Sequence, residues 1–189
     1  VEAAAQVFAR RGFHGASLDE IAEGAGFTRG AIYSNFGGKE DLFLAVLDHH
    51  NATTLDAFSA AFDRAGGVGV VGAAETAALW HEIMVPDRDW LALTLEFRLY
   101  ALRNPEVKER FAAWARSSQE GVARFIQEMV AGAGLELSIP VTDLAAIVDA
   151  ASGALQELAY LDPSKTRVFE SFIQLIIDAS PSGQAPLSQ

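Results

Sequence analysis

Four side chains between residues 29 and 39 carry hydrogen-bond donors of the kind that proteins use to bind DNA. The Arg29 guanidinium can donate two parallel bonds to guanine, and the Asn35 amide can contact a base edge or a phosphate. The Tyr33 hydroxyl and the Lys39 ammonium can each bind a phosphate oxygen. Gly30 lets the backbone approach the bases, since it has no side chain. These residue types predict a segment that enters the major groove.

Signals around this segment predict the two short helices that would position it. Ser17 is an N-cap residue, and Glu20 completes the sequence pattern of a reciprocal capping box. Gly24 is expected to end the first helix, and Phe27 to fill the corner before Thr28 caps the second. Three apolar side chains of the second helix are expected to face the core: Ala31, Ile32 and Phe36. Residues 17–39 therefore predict a helix-turn-helix DNA-binding motif.

This region resembles the DNA-binding domain of the tetracycline-repressor (TetR) family of bacterial regulators. The resemblance lies in the run IAEGAGFTRGAIYSNFGGKEDLFLAVL and in the preceding VFARRGFHGAS, residues 21–47 and 7–17. It implies a homodimer of all-helical subunits, a small-molecule effector, and an N-terminal arm that is expected to precede Val1. The predicted DNA-binding residues are Ser17, Thr28, Arg29, Gly30, Ala31, Tyr33, Ser34, Asn35 and Lys39. A two-fold dimer would match a pseudo-palindromic operator.

Composition excludes several classes of protein. With 189 residues, half of them apolar, the chain can bury a substantial core. A formal net charge of -11 argues against a protein that coats nucleic acid nonspecifically, but it permits a sequence-specific DNA-binding protein whose few basic groups lie on one face. The chain has no cysteine, and no apolar run reaches the roughly 20 residues of a membrane helix. We expect a cytoplasmic protein with no membrane partner, no cofactor and no metal.

Helical periodicity continues beyond the motif and predicts an all-α fold of nine helices. Three helices would form a DNA-binding domain, residues 1–47, and six more are predicted at about 39–64, 73–84, 87–102, 105–131, 141–161 and 164–179. The glycine-rich stretch 65–72 is expected to be a loop. Residues 48–180 would form a helical effector-binding and dimerisation domain, and residues 181–189 a loose tail.

Aromatic residues are unusually frequent between positions 80 and 125, which is typical of a largely apolar ligand pocket. The predicted ligand-binding residues are Trp80, His81, Trp90, Phe97, Tyr100, Trp114 and Asp149. Ordinary core packing is the alternative for each aromatic side chain. Glu96 and Asp149 interrupt apolar faces, so each could meet a ligand or could instead reach an arginine or a helix end.

The last two predicted helices are more apolar than a surface helix normally is, which favours a subunit interface. The residues predicted to form it are Leu144, Ile147, Ala151, Ala154, Leu155, Leu158, Phe169, Phe172 and Ile176. Two such helices from each subunit would form a four-helix interface, as the resemblance implies. The alternative is that these helices close the core of the monomer.

The sequence contains no recognisable catalytic machinery. Its four histidines lack metal-ligand spacing, and the chain has no phosphate-binding loop and no nucleophile elbow. We therefore expect a ligand-responsive transcriptional regulator, a repressor whose dimer releases its operator on binding a small molecule. The alternatives are an activator, or a non-catalytic helical ligand-binding or interaction protein whose DNA binding is vestigial.

Overall fold

The computed structural model describes residues 1–66, 73–84, 88–132, 134 and 136–178. This part of the chain forms helices and no strand, which confirms the predicted all-α class. The α-helices are α1 (Glu2–Gly15), α2 (Leu18–Ala25), α3 (Arg29–Phe36), α4 (Lys39–Arg64), α5 (Ala73–Ile83), α6 (Arg88–Arg103), α7 (Pro105–Gly132), α8 (Val141–Leu161) and α9 (Arg167–Asp178). A single 3-10 turn, Pro163–Lys165, precedes α9. Residues 67–72 of the predicted loop and the predicted tail, 181–189, lie outside the described residues.

The chain divides into two compact units. The first comprises Val1–Thr53 and Pro86–Arg116, and the second comprises Thr54–Val85 and Ser117–Gln189. Helices α4 and α7 each contribute residues to both units. The predicted functional boundary near residue 47 stays a prediction, because these units are defined by packing alone.

The core of the first unit is built from aromatic side chains of three helices. Phe8 of α1, Phe43 of α4 and Phe97 of α6 are almost completely buried. The Phe43 and Phe97 ring centroids lie 4.4 Å apart, and Phe8 meets Phe43 edge-on at 5.0 Å. Such pairs bury large apolar areas and add specific ring contacts. Helix α6 therefore shares one core with the helices of the predicted DNA-binding motif.

The second unit has an aromatic cluster of its own. Helix α5 packs on α9, and the Trp80 ring lies 5.0 Å from Phe58 and 5.5 Å from Phe169. Helix α8 is apolar and long enough, by length and composition, to cross a membrane. A core helix meets the same criterion, and α8 buries Leu144 and Val148. Its apolar composition is thus no sign of a membrane span by itself.

Candidate nucleic-acid interface

The hydroxyls that cap α2 and α3 lie where the sequence predicted them. The Ser17 Oγ accepts the Glu20 backbone N–H at 3.1 Å, and the Thr28 Oγ1 accepts the Ala31 N–H at 3.2 Å. The expected reciprocal capping box is only half formed, because the Glu20 carboxylate accepts a bond from Arg11 Nε at 3.3 Å. Both capping oxygens act as acceptors here, so each hydroxyl hydrogen can still be donated to a phosphate.

The turn between the two helices is a Schellman motif centred on Gly26. Gly26 has φ +70°, its N–H bonds to the Glu23 carbonyl, and the Phe27 N–H bonds to the Ala22 carbonyl at 2.9 Å. Helix α2 therefore ends at Ala25, one residue after the predicted end. The expectation that Phe27 fills the corner is wrong, since Phe27 is 70% exposed. The left-handed residue directs the chain outward before α3 begins.

Helix α3 presents one face to solvent. Ile32 is buried at 6% exposure, whereas Arg29, Gly30 and Tyr33 are exposed. Ser34 and Asn35 are also exposed. Ala31 and Phe36, which were expected in the core, are partly buried. The face that would enter a major groove is therefore the polar one, as the sequence predicted.

Two of these polar side chains bond to their own helix. The Ser34 hydroxyl donates to the Gly30 carbonyl at 3.0 Å, and the Asn35 amide donates to the Ala31 carbonyl at 2.7 Å. The Asn35 amide carries a second N–H donor and an oxygen acceptor, and neither takes part in this bond, so both could contact a base.

The Arg29 guanidinium is held by two partners. One terminal nitrogen donates to Asp19 Oδ2 at 3.1 Å, and the other donates to the Tyr33 hydroxyl at 3.3 Å. The guanidinium carbon also lies 5.6 Å from the centre of the Tyr33 ring. The Tyr33 hydrogen bond and the Asp19 charge raise the pKa of Arg29. The side chain most suited to read guanine is therefore charged and is held towards one position by two exposed contacts.

Lys39 opens α4, as predicted, and its ammonium folds back against the end of α1. The Nζ donates to the His14 carbonyl at 3.2 Å and lies 4.9 Å from the centre of the Phe13 ring. Burial lowers the pKa of Lys39. The side chain thus joins the start of α4 to the end of α1, and a phosphate contact would have to be made from this position.

Four of the predicted DNA-binding residues line one cleft of about 440 Å³: Ser17, Arg29, Tyr33 and Lys39. We call it the Arg29 cleft; its other walls are Ala16, Leu18, Asp19, Gly37, Gly38 and Glu40. Gly30, Ser34 and Asn35 lie outside it on the exposed face of α3, next to Thr28 and Ala31. Two basic and two acidic side chains line the cleft, so its electrostatic attraction for phosphate is local and short-ranged.

Helix α6 holds the end of α1 through Glu96, and the sequence left open which helix end this carboxylate would reach. The Glu96 carboxylate accepts the backbone N–H groups of Phe13 at 3.0 Å and His14 at 2.9 Å. Helix α1 is interrupted just before these amides, because Gly12 has φ +70° and ψ 171°. The carboxylate therefore satisfies two amides that the interruption leaves without helical partners. Of the contacts considered for Glu96, with a ligand, an arginine or a helix end, the structure shows the helix end.

The N-terminal region matches the family model described as bacterial regulatory proteins, tetR family, over residues 1–46. The chain is a member of the TetR family.

Two curated relatives align with parts of this chain. The transcriptional repressor AcnR of Corynebacterium diphtheriae is 30% identical over 129 residues, which are 67% of this chain and 61% of that protein. The transcriptional activator FasR of Mycolicibacterium smegmatis is 48% identical over 48 residues, 25% of this chain and 22% of that protein. The chain thus matches less than two thirds of the length of these relatives.

The fold extends the likeness over nearly the whole chain. A protein from Mesorhizobium loti described as a TetR-family transcriptional regulator superposes with a TM-score of 0.64, covering 95% of this chain and 93% of that one. Its sequence identity is 16%, so this likeness concerns the fold alone.

Four of the residues predicted to bind a ligand lie in the first unit of this TetR-family protein and have other contacts there. Phe97 is 1% exposed, and the Trp90 ring lies 4.1 Å from His50. The Tyr100 hydroxyl donates to the Glu40 carboxylate at 3.0 Å. The Trp114 indole donates to the Asp48 carboxylate at 2.6 Å. These contacts favour core packing, the alternative considered for each aromatic; a ligand role for them stays a prediction.

The other three predicted ligand residues lie in the second unit. His81 is exposed and Asp149 is half-buried. The Trp80 indole N–H is buried and has no hydrogen-bond partner among the described residues. No group of three or more histidine, aspartate or glutamate side chains in the described ranges could hold a metal.

The predicted interface residues fall into two groups. Leu144 and Phe169 are buried within the chain, which is what the alternative of a monomer core requires. Ile147, Ala154 and Leu158 are exposed on α8, and Ala151, Leu155, Phe172 and Ile176 are partly buried. Three further apolar residues of α8 and α9 are exposed: Leu161 at 72%, Val168 at 39% and Leu175 at 68%. The surface available to a second subunit therefore includes them together with the exposed members of the predicted set.

Proposed function

We propose that this TetR-family protein is a dimeric DNA-binding transcriptional regulator that responds to a small molecule and acts as a repressor. The observation that carries the proposal is the Arg29 cleft, where an arginine at the start of an exposed helix lies beside a tyrosine hydroxyl. Arginine at the N-terminal end of a recognition helix reads base edges, while hydroxyls and helix N-termini fix the phosphate register.

The DNA-binding part would comprise residues 1–47, and residues 48–180 would bind the effector and form the dimer. Double-stranded operator DNA and a second copy of the chain are the proposed partners, in the bacterial cytoplasm. The proposed effector is largely apolar, and Trp80, with its unpartnered indole N–H, is the described residue best suited to meet it. The relatives are regulators, and we propose no catalytic activity.

Coupling between effector and operator would act as a population shift. A ligand that binds one dimer geometry more tightly favours that geometry, and α4 contributes residues to both units. Helices α6 and α7 contact the start of α4, because the Tyr100 hydroxyl donates to Glu40 and the Arg110 guanidinium donates to Asp41, each at 3.0 Å. A coupling of about 1–3 kcal/mol would change operator affinity about 5- to 150-fold.

Repression is favoured over activation by the extent of the likeness. The match to the repressor extends well beyond the DNA-binding region, to 129 residues, whereas the match to the activator covers 48. The likeness to the repressor therefore includes residues of the proposed effector domain.

Fluorescence anisotropy tests the function. The protein is titrated into labelled duplexes from the DNA flanking its own gene and into scrambled duplexes, at two salt concentrations. We expect tight, salt-sensitive binding of two subunits per site. Tyr33→Phe, which removes the exposed hydroxyl beside Arg29, should weaken binding to all sequences, whereas Tyr160→Phe, at a similarly exposed tyrosine, should not.

Two results would contradict the proposal. Equal affinity for flanking and scrambled DNA, together with failure of in vitro selection to enrich any sequence, would favour the interaction protein with vestigial DNA binding. Loss of affinity in Tyr160→Phe equal to that in Tyr33→Phe would show that the hydroxyl beside Arg29 has no special role.

A further inference from the structure

We propose that Asp19 is a specificity-determining residue. Its carboxylate holds Arg29 where the guanidinium can contact a guanine edge, and it weakens binding to DNA that has no suitable base at that position. The inference rests on the proposed function. Asp19 belongs to α2 and Arg29 to α3, so the pair joins the two helices of the motif.

The geometry allows Arg29 to read DNA without leaving Asp19. Each terminal nitrogen of a guanidinium carries two N–H donors. One donor is directed to Asp19 and one to the Tyr33 hydroxyl, so a second donor on each nitrogen remains for a guanine edge. With its position already restricted by two partners, the side chain loses less conformational entropy when it binds a base.

The carboxylate also has an unfavourable effect that depends on where Arg29 goes. The Asp19 and Arg29 side chains are 67% and 54% exposed, so solvent screens their pairing, which favours this position of Arg29 by about 1 kcal/mol at most. If Arg29 turns to a phosphate, Asp19 is left as an unpaired negative charge facing a polyanion. Like charges that meet across an interface destabilise the complex, so Asp19 disfavours the nonspecific complex, in which Arg29 contacts a phosphate, more than the specific one, in which Arg29 contacts a base.

Structural stabilisation of α2 is the alternative explanation for an aspartate at this position. An acidic residue in the first turn interacts favourably with the helix dipole, and Asp19 is in that turn. That role predicts a loss of stability on substitution but no change in the ratio of specific to nonspecific affinity. The ratio therefore separates the two explanations.

The test compares Asp19→Asn with Glu23→Gln. Asparagine keeps the size of the side chain and an oxygen that can accept from Arg29, but it removes the charge. Glu23 is an exposed carboxylate on the same helix and does not line the Arg29 cleft, so its substitution makes the same change in net charge. The DNA probes are a duplex enriched by in vitro selection with the unmodified protein and its scrambled counterpart.

We expect Asp19→Asn to raise affinity for the scrambled duplex roughly five-fold while affinity for the selected duplex stays within about two-fold, because an exposed charge pair is worth up to about 1 kcal/mol. Glu23→Gln should change both affinities by the same factor. In an Arg29→Ala background, Asp19→Asn should no longer change the ratio. Thermal unfolding of each variant verifies that it is folded.

The inference is overturned if Asp19→Asn and Glu23→Gln leave the ratio equally unchanged, or if the effect of Asp19→Asn persists without Arg29. Failure of selection to enrich any sequence would remove the proposed function and the inference with it. Sequence-specific binding with an unaltered ratio would remove the inference alone.

Discussion

Glu96→Ala and Gly12→Ala should be strongly coupled in their effects on stability, because both changes act on the same two hydrogen bonds. The Glu96 carboxylate accepts the Phe13 and His14 amides, and a Cβ built on Gly12 would lie 2.6 Å from Glu96 Oε2. An alanine at residue 12 would therefore have to displace the carboxylate. Its backbone would also be strained, since Gly12 has φ +70°.

The structure sets the expected magnitudes. Hydrogen bonds to a charged group are worth about 1.5–3 kcal/mol each, and because Glu96 is half-buried we take about 2–3 kcal/mol for the pair. Gly12→Ala should lose most of the same energy and add about 1–3 kcal/mol of backbone strain. The double variant loses the hydrogen bonds only once. It should be less destabilised than the sum of the two single variants by about 1.5–2 kcal/mol.

Urea unfolding followed by helical circular dichroism measures these free energies. Amide hydrogen exchange at Phe13 and His14 reports on the first unit directly, and both amides should exchange faster in each variant. Two control substitutions should lack the effect. Gly24→Ala, at a helical glycine with no atom within 4 Å of the new Cβ, should be neutral or stabilising. Glu109→Ala, at an exposed carboxylate of α7, should change stability little.

Additivity of the two substitutions within about 0.5 kcal/mol would refute this reasoning. It would mean that the carboxylate does not satisfy the amides in solution, and that Gly12→Ala acts through backbone strain alone.

Two further predictions concern binding and assembly. Lys39→Met should weaken binding to all DNA sequences alike and reduce the slope of log affinity against log salt concentration by about 1, whereas Lys108→Met should not. An unchanged slope in anisotropy titrations would show that the Lys39 ammonium serves only the His14 carbonyl. Leu175→Glu should convert dimers to monomers in light scattering, because Leu175 is 68% exposed on α9, while Leu102→Glu, at 73% exposure on α6, should leave the mass unchanged. A Leu175→Glu protein that remains dimeric would exclude this face of α9 from the interface.

Much of the fold could be predicted because helix boundaries depend on local chemistry. Ser17 and Thr28 form the predicted caps, since a side-chain oxygen reaches an amide three residues away in any chain of that local shape. Pro105 begins α7, where its missing N–H has no helical role. The outward face of α3 followed from helical periodicity in the same way.

Partners of charged and aromatic side chains could not be predicted from spacing. The Glu20 pattern fits a capping box, but the approach of Arg11 diverted its carboxylate. Trp114 was assigned to a ligand pocket because it is aromatic, and the fold places it against Asp48, which is 66 residues away. A residue type limits what a side chain can bind, but it does not say which group the fold will bring within reach.

The sequence by itself determined the helices, their order and the polar face of α3, because these follow from interactions within a few residues. Tertiary structure alone decided that Asp19 meets Arg29, that Lys39 turns to the end of α1, and that Glu96 satisfies the amides after Gly12. The partners of Glu96 are more than 80 residues away in the chain. Such contacts form only when the shared core brings helices together, and side-chain polarity then selects among the groups that packing has made available.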